Sequence, residues 1–139
     1  MEVYLEDLLL AQRARGKDAR ALVHGDPLDD DPPWLARVPV AATLLFTPLA
    51  PGFWGALKRQ LREFRPDVLH IHFPNPSAFW LLLMKEARQV PWVLHWHADV
   101  VPSSLKGRIA WAYRVYRPFE QAMLEATDQV IVTSPDYLQ

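Results

Sequence analysis

Two short runs do most to constrain the fold: "PDVLHIHF", residues 66–73, and "PWVLHWH", residues 91–97. Each opens on a proline, crosses a few apolar residues and ends in a His-x-His pair. Short apolar runs rich in aromatic and branched residues read as strands. The chain between them, "SAFWLLLMKEAR" at residues 77–88, reads as a helix. A strand, a helical crossover and a second strand form a parallel pair.

The same alternation extends to both sides. Residues 1–15 read as a helix stopped by Gly16, and residues 19–24 as a short strand. Residues 25–34 form an acidic, proline-rich loop. A second strand is expected at 38–46, followed by the "TPLAPG" loop and a helix at 53–65. Strands then fall at 67–72, 92–96 and 129–133, with a helix at 108–126 interrupted or kinked at Pro118. The strands read mostly as continuous apolar runs, the pattern of a parallel sheet covered on both faces. The expectation is an open, doubly wound α/β domain with right-handed crossovers.

Both ends look cut. Ser134, Pro135 and Asp136 read as a helix start only a few residues before the end. The first helix has no strand before it, whereas a doubly wound domain normally begins with a strand near the middle of its sheet. Residues 1–139 are therefore expected to be a fragment truncated at both ends, with a helix-first domain as the alternative. Loss of that strand would leave a gap and exposed apolar edges, and so poor solubility.

Composition excludes several classes. The 139 residues are 50% hydrophobic and 22% charged, enough for one core and unlike a disordered chain. A net charge of −1 gives no nucleic-acid footprint. Cysteine is absent, so disulfides and thiolate metal sites are ruled out. No apolar run reaches the roughly 20 residues of a membrane span, and no signal peptide is evident.

Ligands of open α/β sheets bind beyond the carboxyl ends of the strands. His72, Phe73, Pro74 and Asn75 lie at one such end, His97, Ala98 and Asp99 at the next, and Ser134 at the last. His70 and His72 share one face of their strand and His95 and His97 another. His70 and His95 sit deeper and read as core histidines with satisfied hydrogen bonds. His72 and His97 lie nearer the rim, and the functional reading is stronger for His97. Asn75–Pro76 reads as a helix cap and first helical residue, which can also favour an anion or hydroxyl. Asp99 either shapes a turn or orients His97 or a ligand hydroxyl.

The two His-x-His pairs allow a metal-dependent hydrolase, although only Asp99 is placed as a matching carboxylate. A non-catalytic sugar-binding module is a further alternative. Basic residues cluster on two helical segments, Lys58, Arg59, Arg62 and Arg65 on one, Lys106, Arg108, Arg114 and Arg117 on the other. The ordinary reading is a solvated face; the sharper one is peripheral contact with an anionic membrane.

Four blocks in order carry a resemblance: "MEVYLEDLLLAQRARGKDARALVH", "DVLHIHFPNPSAFWLLL", "PWVLHWHADVV" and "FEQAMLEATDQVIVTSPDYL". Together they resemble the N-terminal domain of family 4 glycosyltransferases, and "HWHADVV" looks most like the bacterial surface-polysaccharide type. The resemblance spans essentially the whole chain. It implies the N-terminal half of a GT-B enzyme, a Rossmann-like sheet here lacking its first strand. It implies a retaining, nucleotide-sugar-dependent transfer to a saccharide or lipid-linked acceptor, without a bound metal, in the cytoplasm. His97 would stand beside the donor sugar as the catalytic residue, and His72, Asn75, Asp99 and Ser134 would face the acceptor. Phe73 stands where many members have an acidic residue. The Gly-rich loop and the C-terminal donor domain, with its paired glutamates, have no counterpart here. The resemblance thus implies no cofactor bound by residues 1–139 and no sugar transfer by them alone.

Overall fold

Residues 2–44, 47–97 and 107–132 are described by a computed structural model. Helix α1 (Glu2–Ala14) ends at Gly16, whose φ of 77° is the left-handed conformation that glycine adopts without a Cβ penalty. Strand β1 (Ala21–His24) pairs in parallel with β2 (Leu35–Val38), from Ala21 opposite Leu35 to His24 opposite Val38. A small antiparallel ribbon of β3 (Ala42–Leu44) and β4 (Thr47–Leu49) follows, then helix α2 (Phe53–Glu63). A three-stranded parallel sheet holds β5 (Leu69–Phe73), β6 (Trp92–Trp96) and β7 (Gln129–Val132) in the order β5–β6–β7. Helix α3 (Arg108–Ala126) lies between β6 and β7 in the chain. This is the mixed α/β, mostly parallel arrangement of a Rossmann-like GT-B half-domain. Its parallel strands form two separate sheets, since β1–β2 and β5–β6–β7 share no strand pairing.

Three expectations need correction. The strand expected at 38–46 is two elements, because Pro39 has no N–H to continue a ladder and fixes its own φ. β2 ends just before it and pairs with β1, while Ala42–Leu44 belongs to the ribbon, whose partner strand falls inside the expected loop. The helix expected at 77–88 is instead two 3₁₀ segments, η1 (Pro76–Leu83) and η2 (Ala87–Gln89). The buried residues Ala78, Leu81, Met84 and Ala87 recur every third position, the period of a 3₁₀ turn rather than of an α-helix. Finally, α3 stays helical through Pro118, so of the interruption or kink expected there the interruption does not occur.

The core lies on one side of the three-stranded sheet. Ile71 and Phe73 of β5 and Trp92 and Leu94 of β6 pack there against Leu61, Ala78, Leu81, Met84, Ala87 and Met123. Full burial of such a side chain stabilises by roughly 1.5–3 kcal/mol. The Trp92 indole N–H donates to the Ala87 carbonyl at 2.7 Å, so the largest buried side chain leaves no polar atom unmet. Asp128 ties β6 to β7: its carboxylate accepts from the Trp92 amide at 2.8 Å, and its own amide donates to the Trp92 carbonyl at 3.0 Å. No helix among the described residues is long and apolar enough to cross a membrane.

Candidate functional site

The other side of the same sheet carries imidazoles. β5 reads Leu-His-Ile-His-Phe, so period-two alternation sends Ile71 and Phe73 to the core and His70 and His72 to the opposite face. In β6 Leu94 goes to the core, and His95, with His97 just past the strand end, goes the other way. His72 is in register with His95. The two pairs, expected on separate faces, therefore share one, because neighbouring parallel strands in register present the same parity to the same side. The continuous apolar runs expected are in fact two-faced.

The rings are in contact. His95 and His97 stack at 4.2 Å between centroids, His70 and His72 at 4.6 Å, His72 and His97 at 5.1 Å, and His72 and His95 at 5.3 Å. His72 Nδ1 and His97 Nε2 lie 2.8 Å apart, one donating and the other accepting. The His97 amide donates to the Phe73 carbonyl at 3.1 Å, which holds the end of β6 against the end of β5. Tyr4 of α1 sets its ring edge-on to His95 at 5.4 Å and His97 at 5.8 Å, partly covering the group.

Burial disfavours a charged ring, and a neighbouring imidazolium disfavours a second. Desolvation, and then the other histidines, lower the pKa of His72 to about 3 and bring His70 and His97 below the ordinary value. Desolvation alone lowers His95, and likewise His24. The cluster is thus neutral at neutral pH, each ring offering one N–H and one lone pair.

The expectation that His70 and His95 are satisfied core histidines fails. His70 Nε2 and His95 Nδ1 are both buried without a hydrogen-bond partner. On this face other imidazoles and Tyr4 meet them through ring faces and edges, and the apolar Val93 and Ile131 stand in register with His70 and His95.

Of the other residues singled out in the sequence, Asn75 caps η1: its side-chain oxygen accepts from the Ser77 amide at 3.1 Å, with Pro76 next in the chain. It follows directly on the end of β5, so His72, Asn75 and His97 belong to one pair of neighbouring strand ends. Asp99 and Ser134 lie outside the described residues. Sequence reasoning missed two residues. His24 ends β1, stacks on Phe53 at 4.6 Å and bonds through Nε2 to the Ser77 hydroxyl at 2.8 Å. Its place at a strand end before Gly25 was the available signal. Tyr4 carried none, since its contacts depend on how α1 lies across the sheet. A recess of ≈ 340 Å³ lies elsewhere, lined in part by Leu22, Arg37, Val38, Gly52 and Arg59, and includes none of these histidines.

The fold and the site define a parallel α/β domain that delivers polar side chains to the carboxyl ends of adjacent strands. The family model described as "Glycosyl transferase 4-like domain" matches residues 1–139, and the chain belongs to that family. No curated protein and no solved structure gives a significant match.

Proposed function

We propose that this chain is the acceptor-side domain of a retaining, nucleotide-sugar-dependent glycosyltransferase of the bacterial surface-polysaccharide type. Its acceptor is a saccharide or a lipid-linked saccharide, in polysaccharide or glycolipid synthesis on the cytoplasmic side of the membrane. The donor nucleotide is held by a second domain outside residues 1–139. The observation that carries the reading is the position of His97. It follows the last residue of β6, is pinned to β5 through its amide, and touches His72 next to the loop that starts at Asn75.

The chemistry suits this place. When the His72 Nδ1–H donates to His97 Nε2, the Nδ1–H of His97 remains as a donor for a sugar hydroxyl. A neutral donor held by backbone and neighbour needs no reorganisation as charge develops on the sugar. Asn75, Asp99 and Ser134 are assigned to the acceptor side with His72. The basic residues of α2, Lys58, Arg59 and Arg62, suit a peripheral contact with anionic lipid.

The test is sugar transfer by the full-length protein. His97→Ala is expected to lower kcat by about 10²-fold or more with little change in KM for donor, the pattern of a lost transition-state contact. Unchanged kcat in a folded variant would remove His97 from the reaction.

A further inference from the structure

We propose that His70, His72 and His95 form a binding site for a late first-row transition-metal cation, zinc(II) in the first place, with His97 as the outer residue that orients His72. Each of the three offers a ring nitrogen, and these atoms lie within 4.8 Å of one another. Nitrogens around a tetrahedral zinc stand about 3.4 Å apart, given metal–nitrogen bonds of about 2.0–2.1 Å. Rotation about the broad terminal torsion of each imidazole brings the lone pairs from one spacing to the other.

A second observation points the same way. His70 Nε2 and His95 Nδ1 are buried and have no hydrogen-bond partner. Leaving such an atom unmet costs about 1–3 kcal/mol. Ring stacking does not relieve that cost, because it engages the faces of the imidazoles and not their in-plane lone pairs. A cation engages both at once.

The fourth histidine completes the arrangement. A metal-bound histidine commonly donates its other ring N–H to a neighbouring acceptor, which fixes tautomer and orientation. The 2.8 Å bond between His72 Nδ1 and His97 Nε2 has this geometry and leaves His72 Nε2 for the ion. The donor set is all imidazole, with no carboxylate in the group. Imidazole suits zinc, copper and nickel, whereas calcium and magnesium require oxygen. Three protein ligands leave one position of a tetrahedral ion for water or a substrate oxygen.

The inference is independent of the transferase reading, and one preparation tests both. The full-length protein, without a polyhistidine tag, is stripped with chelator, dialysed, loaded with zinc(II) and dialysed again. Metal content is then measured, and affinity is read by competition with a chromophoric chelator. The expected result is about one zinc retained per chain, and visible absorption of four-coordinate cobalt(II) when cobalt replaces it. His72→Gln and His95→Gln should each weaken binding at least about tenfold, His97→Gln should weaken it by about 10–100-fold, and His24→Gln should leave it unchanged. If His95→Gln does not fold, the more open His72→Gln gives the same reading. No retained zinc in the wild type, or wild-type affinity in His72→Gln, overturns the site. Sugar transfer is assayed separately with and without chelator, so loss of the ion and loss of transfer are distinct results.

Discussion

The two faces of the β5–β6–β7 sheet come from the same strands, yet they are built on different principles. On one face Phe73, Trp92 and Leu94 are fully enclosed, and the one polar atom among them, the Trp92 indole N–H, has its partner. On the other face four imidazoles touch one another, two of their nitrogens have no partner among the described residues, and the ring of Tyr4 lies across them. The first face is optimised for packing. The second keeps neutral, lone-pair-bearing groups together where packing alone would have placed aliphatic residues. One sheet thus separates the work of holding the fold from the work of presenting chemistry.

The largest expected effect breaks the apolar face. Leu94→Ala should destabilise by about 2–5 kcal/mol and Trp92→Ala by about 3–5 kcal/mol, read from denaturant midpoints. Conservative replacement of His72 by Gln should cost far less, and a loss as large as that of Leu94→Ala would mean that the histidine face is core after all. Acid should sharpen the contrast. Each of these histidines has a folded pKa below its unfolded one, so the unfolded chain takes up protons first. The contribution is complete above pH 6.5 and declines as pH falls towards the folded value, about 3 for His72. Between those values each such ring removes up to about 1.4 kcal/mol per pH unit. Melting temperatures of the chelator-treated protein should therefore fall between pH 7 and pH 5, less steeply in His72→Gln. A flat profile would place the rings in water.

Smaller effects belong to the edges of the comparison. Asn75→Ala removes the cap of η1 and should cost about 1 kcal/mol, measured by thermal unfolding. Arg62→Ala breaks an exposed pair with Glu86 at 3.2 Å and should have the smallest effect on the thermal midpoint, vanishing as salt is raised.

The parallel α/β class was legible because helical and strand segments alternate along the chain and Pro66 and Pro91 mark the approach to β5 and β6. Strand-end positions were legible too, since His72, Asn75 and His97 follow from one rule about carboxyl ends. What escaped depends on neighbours. Register decides whether His70 and His95 share a face, and a single strand does not contain its register. The 3₁₀ turns of η1 follow from what the sheet accepts at Ala78, Leu81 and Met84, although each residue there tolerates an α-helix. Tyr4 reaches the site only through the path of α1, set by the turn at Gly16 and the strand after it.

That path has a kinetic consequence. Among the described side chains of α1 only Leu9 is buried, so the helix is held to the sheet by little apolar surface. Its amides should exchange with solvent deuterium through lifting of the helix alone, at a free energy well below that of global unfolding. The amides of β6, flanked by β5 and β7, should exchange only with the whole. The histidines beneath Tyr4 are then reached on the timescale of a single helix leaving the surface, while the sheet that carries them stays intact.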